Sequence, residues 1–216
     1  MKLSKRLATI ASYINDDDKV LDVGCDHGYL DIYLALYKKN DLIIASDISE
    51  EVIKSTINNI KKYKVQNKIK TYCTDGTRNI SDNYNTIVIA GMGYHTIINI
   101  LKESKLAEKL IICSNNDWPN VRKEVPKIGY YLDEERLVID GKKLYSIMLF
   151  RKGKRKITRK EIVVGKYFKD NKDLYNEYYT KIKNIYIKIP NLKIIKKIYY
   201  LKMLRYLKSY LRKENR

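Results

Sequence analysis

The 216 residues predict an α/β fold of Rossmann-like type: a mostly parallel seven-stranded sheet followed by a C-terminal α-helical hairpin of coiled-coil-like pattern. Three observations carry that expectation. Short apolar runs alternate with helix-length amphipathic segments, the pattern of βα units that bury a parallel sheet on both faces. The last two strand-like runs face each other across Asp140-Gly141, a hairpin turn signal. From Thr158 onward the periodicity is helical throughout.

The elements follow in order. Leu7, Ile10, Ala11 and Ile14 recur at helical spacing over residues 4–14, with Ser4 as N-cap. The first strand is 19–23 and its helix about 28–37. A second strand, 42–47, leads into a helix from Glu50 to Tyr63 capped by Ser49. Strands follow at 68–73, 86–90 and 110–114, with a helix over 94–102 after the fourth. Residues 120–127 form a helix with Pro119 near its start. Two strands, about 130–139 and 143–151, close the sheet as an antiparallel pair. A final β-hairpin of this kind is typical of the class I methyltransferase sheet and not of a nicotinamide-binding fold with six parallel strands. In the tail, Leu174, Tyr178, Ile182, Ile185 and Ile189 form one helical stripe, and Pro190 breaks the chain. Leu192, Ile195, Tyr199, Met203, Tyr206 and Tyr210 form another. The two stripes predict an antiparallel pair.

The net charge of +19 is unevenly placed. Residues 151–216 carry 22 Lys and Arg against 5 Asp and Glu, whereas the remainder is nearly balanced. The division expected is therefore a catalytic unit over 1–155 and a basic helical hairpin over 156–216, the latter suited to a polyanion. Tyrosines interleave with the cations, among them Tyr167, Phe168, Tyr175, Tyr178, Tyr199 and Tyr206. Helical spacing assigns many of these to a buried face. No run is apolar and long enough to span a bilayer, and the start of the chain lacks the apolar core of a signal peptide. Three scattered cysteines suit reduced thiols in a cytoplasmic protein and neither a disulfide framework nor a zinc site.

Chemistry concentrates at the strand ends. The first strand runs into Gly24-Cys25-Asp26-His27-Gly28, where the central glycine of a G-x-G-x-G pattern is replaced by Asp26. A pyrophosphate at that helix N-terminus would be repelled by the carboxylate, and a sulfonium or ammonium group attracted. The loop therefore favours S-adenosylmethionine over a dinucleotide. Asp22 can reach the amino acid part of such a ligand. His27 lies in the same loop, and Gly24 and Gly28 allow the tight turn. Asp47, ending the second strand with Ile48 beside it, suits the ribose hydroxyls. Asp75-Gly76, ending the third, suits the adenine amine, with the glycine letting backbone approach the ring. Gly91-Met92-Gly93 follows the fourth strand, where flat rings have room, and Asn115-Asn116-Asp117-Trp118 follows the fifth. Asn116 can pair with a base edge, and Trp118 can stack on one or fill a capped loop. Arg122 is a phosphate ligand or a solvated cation. The two histidines have no companions at metal-ligand spacing, so no metal is expected. His95 reads as a polar residue in a helix's first turn. A ring-nitrogen nucleophile needs no activating base, so the absence of an Asn/Asp-Pro-Pro-Tyr motif fits such a substrate. Two other readings remain open on the residues alone. One is a methyltransferase of another RNA or a small molecule, and the other is a non-catalytic RNA-binding module.

The ordered set Leu3-Ser4-Lys5-Arg6-Leu7, Asp22-Val23-Gly24-Cys25-Asp26-His27-Gly28-Tyr29-Leu30, Asp75-Gly76, Ile89-Ala90-Gly91-Met92-Gly93 and Asp140-Gly141-Lys142 resembles the bacterial tRNA (adenine(22)-N1)-methyltransferases over nearly the whole chain. The resemblance implies methyl transfer from S-adenosylmethionine to N1 of an adenine in the D-arm region of tRNA, with no obligate protein partner evident. It implies that the hairpin helps hold the tRNA. It also places Arg6 in the pocket, against cofactor or RNA. Where the family has a small residue after Gly-Met-Gly this chain has Tyr94, suited to stacking on the target base.

Overall fold

The computed structural model describes residues 1–105, 107–166, 172–190 and 193–213. Helix α1 (Lys5–Ser12) is capped by the Ser4 hydroxyl, which accepts from the Leu7 amide. Then β1 (Val20–Val23), α2 (Tyr29–Tyr37), β2 (Ile43–Asp47), α3 (Glu50–Lys62) and β3 (Ile69–Cys73) alternate. Next come β4 (Thr86–Ala90), α4 (Tyr94–Glu103), β5 (Lys109–Cys113) and α5 (Trp118–Glu124), and then the hairpin strands β6 (Tyr130–Asp140) and β7 (Lys143–Lys152). Ser49 caps α3 through the Val52 amide.

The seven strands lie in the order β3-β2-β1-β4-β5-β7-β6. The first five run parallel, and β7 is antiparallel to both β5 and β6. The order reverses between β1 and β4, which pair Val23 with Ile89. Such a reversal opens a crevice at the strands' carboxyl ends. Strand alternation sends Leu21, Ile87, Ile89, Ile112 and Phe150 to one face and Val20, Ile43, Val88, Ile111 and Leu149 to the other. Helices α1 to α3 cover the second face, and α4 and α5 contribute to the first.

Differences from the sequence reading have local causes. The helix expected over 120–127 starts at Trp118 and gives way to a 3₁₀ turn at Val125–Ile128. Pro126 has no N–H for the α ladder. A short helix, α6 (Arg159–Val164), precedes the hairpin, set by a capping box between Thr158 and Glu161. The hairpin itself is α7 (Lys172–Ile187) and α8 (Ile194–Lys213). Of the expected stripe, Tyr178 and Ile182 on α7 and Ile189 just beyond it are buried, and Leu174 and Ile185 are half-buried. On α8 the buried seam is turned by about one residue. Met203, Leu204 and Leu207 are buried, while Ile195, Tyr199 and Tyr206 are exposed. Aliphatic side chains fill the seam without leaving a hydroxyl to satisfy. Leu192, Tyr167 and Phe168 lie outside the described residues, as does the side chain of Tyr210.

The hairpin does not stand apart. Val164, Tyr175, Tyr178, Ile182, Met203 and Leu207 join the same hydrophobic cluster as Ile89, Trp118 and Phe150. Removing it would bare part of the sheet's own core.

Candidate active site

Left-handed backbone shapes the loop after β1. Gly24, Asp26 and Gly28 have φ of +78°, +55° and +69°, and aspartate tolerates this region better than most residues. The amides of Gly24 and Cys25 both donate to the Ser46 carbonyl, at 2.8 and 3.0 Å. Helix α3 holds the loop from the other side. The Thr56 hydroxyl donates to the Asp26 carbonyl at 2.8 Å, Asn59 Nδ2 donates to the His27 carbonyl at 3.0 Å, and Ser55 Oγ lies 3.1 Å from His27 Nδ1. These α3 residues were not singled out in the sequence. The signal was there: Thr56 is a polar residue on the buried face of an amphipathic helix, wholly inaccessible.

The loop borders a cleft of about 290 Å³. Arg6, Asp22, Gly24, Asp26, His27, Asp47, Gly91 and Met92 all line it. The Asp22 carboxyl is buried, which raises it from 3.8 to about 7 against the pull of Arg6, with Asp47 and Asp26 adding to the rise. Asp47 Oδ1 accepts from the Ser49 amide at 3.0 Å, fixing the carboxylate at the strand end. Ile48 stands beside it, 71% exposed. Gly28 serves as the N-cap of α2. Arg6 lies over the Tyr145 ring, 5.2 Å from its centroid, and its amide donates to Asp140 Oδ2. The β6–β7 turn thus pins α1 against the cleft. Asp75 and Gly76 do not line this cleft. Asp75 Oδ2 instead accepts from Arg78 Nη1 at 3.0 Å, and Arg78 is anchored in turn by Glu103.

On the cleft's other side, Gly91 has φ +83° and its carbonyl accepts from Asn115 Nδ2. The Asn115 amide donates to the Met92 carbonyl at 2.9 Å. Gly93 has no side chain to cap α4, and Asn116 Oδ1 does so by accepting from the Tyr94 amide at 2.9 Å. Asn116 also borders a second cavity of about 330 Å³, together with Tyr94 and His95. The two spaces are partitioned by Gly91-Met92-Gly93.

A family model described as a methyltransferase domain matches residues 3–148. The chain is 30% identical over 82% of its length to the putative tRNA methyltransferase MG248 of Mycoplasma genitalium, covering 84% of that protein. It is 32% identical over 72% of its length to the tRNA (adenine(22)-N(1))-methyltransferase of Bacillus subtilis, covering 67% of it. The solved structure of M. capricolum TrmK with S-adenosyl-homocysteine superposes with a TM-score of 0.84 at 26% identity, over 98% of each chain. The chain belongs to the bacterial tRNA (adenine(22)-N1)-methyltransferase family. For this member of the family, 216 residues long, the likeness to that structure includes the helical hairpin.

The structure decides between the two readings of Trp118 and overturns both readings of Arg122. Trp118 is not free to stack on a base. It is 3% exposed, its indole N–H donates to the Ser114 carbonyl at 3.0 Å, and its ring is covered by Tyr178 at 5.1 Å and Lys181 Nζ at 4.0 Å. Arg122 is neither a phosphate ligand nor solvated. It is fully buried against Glu135, with Nη2 to Oε1 at 2.6 Å and Nε to Oε2 at 3.0 Å, and it donates to the Ile162 and Val163 carbonyls. This pair ties α5, β6 and α6 together. Among the described residues no group of three His, Cys, Asp or Glu side chains is placed to hold a metal ion, and no helix is long and apolar enough to cross a membrane.

Proposed function

We propose that the chain transfers a methyl group from S-adenosylmethionine to N1 of adenine 22, in the D-arm region of tRNA, as a cytoplasmic enzyme. In this reading residues 1–155 hold the cofactor and 156–216 hold the RNA. One observation carries it: an acidic cleft over β1 and β4, bordered by Gly91 and Met92, lies next in the chain to a second cavity, bordered by Tyr94, Asn116 and residues of the basic hairpin. Asp22, Asp26 and Asp47 give the cleft the sign that a cationic amino acid and sulfonium prefer, which a pyrophosphate would not. The Met92 methyl stands where a Cβ on Gly24 would be, so the bare backbone lets Met92 pack directly on the loop at the edge of the cleft.

The cofactor supplies an electrophilic methyl on a sulfonium. Asp22 and Asp26 hold its cationic end, while Asp47 and the exposed Ile48 suit the ribose and the adenine face. Asp75 would reach the adenine amine on release from Arg78. Gly91, Met92, Gly93 and Asn116 form the edge along which the target ring slides into line. The adenine N1 lone pair forms the new N–C bond as the S–C bond breaks, and the electron pair goes to sulfur. No proton has to leave before that step, so alignment is the main catalytic contribution. The target base must leave the tRNA stack to reach the strip.

The names of the curated relatives support the tRNA substrate. The excess of cations in residues 151–216 has no role in a small-molecule enzyme and suits phosphate contacts. The test is to incubate total tRNA with the enzyme and cofactor, digest, and map methylated nucleosides by mass. We expect 1-methyladenosine in the D-arm. Methylation of another nucleoside, or none, refutes the reading.

A further inference from the structure

The second cavity has two walls from different parts of the chain. Tyr94 and Asn116 border it from the sheet domain, and Lys181 of α7 and Tyr199 and Tyr200 of α8 border it from the hairpin. We infer that the hairpin forms one wall of the pocket for the extruded purine, with Tyr199 stacking on the base, so that it positions the reacting ring as well as anchoring the RNA backbone. The inference rests on the proposed tRNA adenine substrate and names what holds the base.

Four observations lead there. The cavity, about 330 Å³, falls in the ~300–1,000 Å³ range of small-ligand sites. Its lining residues Tyr94, Asn115 and Asn116 are tied to the strip Gly91-Met92-Gly93, whose first two residues border the acidic cleft: Asn115 donates to the Gly91 and Met92 carbonyls, and Asn116 lies against Gly93. Its aromatic lining divides by role. The Tyr178 and Trp118 rings pack on each other in the core, whereas Tyr199 is 39% exposed and sits edge-on to Tyr200, 5.4 Å away. Tyr199 therefore presents part of its ring to the cavity. Finally, Asp117 borders the same cavity. Its Oδ2 accepts from Asn120 Nδ2, and Oδ1 can take a hydrogen bond from an exocyclic amine. A flat ring with an amine on its edge satisfies both the aromatic wall and this acceptor.

Backbone anchoring alone would let a hairpin mutation raise KM for tRNA and leave kcat untouched. A wall of the pocket predicts the opposite split. With tRNA saturating, Tyr199→Ala is expected to lower kcat about 5- to 150-fold, the range that loss of one base–aromatic stack gives. Tyr199→Phe, which keeps the ring, should restore kcat to within about threefold. The thermal midpoint and S-adenosyl-homocysteine affinity should stay at wild-type values in both. In parallel, tRNA carrying 2-aminopurine at the methylated position should show quenched fluorescence on wild-type enzyme saturated with S-adenosyl-homocysteine, and relief of quenching on Tyr199→Leu. Unchanged kcat in Tyr199→Ala, or equal fluorescence on both proteins, overturns the inference. If the wild-type enzyme methylates no tRNA adenine, it is the proposed function that fails.

Discussion

With Asp22 holding the cofactor's cationic end as proposed, cofactor binding becomes a proton-linked event with a calculable slope. The Asp22 carboxyl is 5% exposed, and burial raises it to about 7 from an ordinary 3.8. Asp31, fully buried in α2, is raised as well, by burial and by Asp22. A cationic ligand selects the ionised form of Asp22, so binding releases a proton wherever the free carboxyl is protonated. At pH 5.5 only about one free molecule in thirty has Asp22 ionised, and at pH 7.5 about three in four. If the complex restores the ordinary value, Kd rises ~25-fold from pH 7.5 to 5.5, about 2 kcal/mol. Stability of the ligand-free protein runs the other way. The folded state holds the extra proton between about pH 4 and 7, so stability falls as pH rises through that window. From pH 5.5 to 7.5 this single group removes about 2 kcal/mol, or about 4–8 °C of thermal midpoint at this chain length. The assay is calorimetric titration of S-adenosylmethionine at both pH values, in two buffers of different ionisation enthalpy. Asp22→Asn should flatten the pH dependence and lower affinity at pH 7.5. A wild-type Kd constant within twofold, with no buffer-dependent heat, refutes the argument.

Other outcomes follow from single contacts. Gly28→Ala places a Cβ 2.7 Å from Thr56 Cγ2 at φ +69°, and Thr56 is too buried to swing away. Left-handed strain plus overpacking should cost about 2–5 kcal/mol, read as a lower urea midpoint, and an unchanged midpoint would sink this account of the turn. Arg122→Met leaves Glu135 buried without its cation, which should cost about 3–5 kcal/mol and lower the thermal midpoint by about 6–20 °C. A drop of only a degree or two would show that the pair is dispensable. Raising salt from 50 to 200 mM should weaken tRNA binding by at least an order of magnitude (~10-fold or more) through the hairpin's cations, with cofactor affinity steady. A flat response in filter binding would take the hairpin away from the phosphate backbone. Deleting 158–216 is a poor test of RNA binding. The hairpin shares its core with the sheet, so truncation confounds RNA affinity with stability.

Periodicity made the sheet legible, because a strand buried on both faces is a continuous apolar run and a surface helix is amphipathic. The loop at 24–28 was equally plain, since its glycines and Asp26 answer local demands of backbone angle and charge. The short α6 was harder, because its capping box sits inside a stretch that reads as helix from end to end.

The sequence by itself determined the succession of βα units, the acids at the strand ends and the basic bias of the tail, all properties of neighbours along the chain. The tertiary structure alone decided which polar residues serve the core and which serve a site. Trp118 read as a base stacker or a loop filler and Arg122 as a phosphate ligand or a solvated cation, yet Tyr178, Glu135 and two α6 carbonyls, 13 to 60 residues away, enclose them. Thr56 read as one more helix residue, yet it holds the loop after β1. Burial is a sum over elements distant in sequence, and a side chain's task follows from what encloses it.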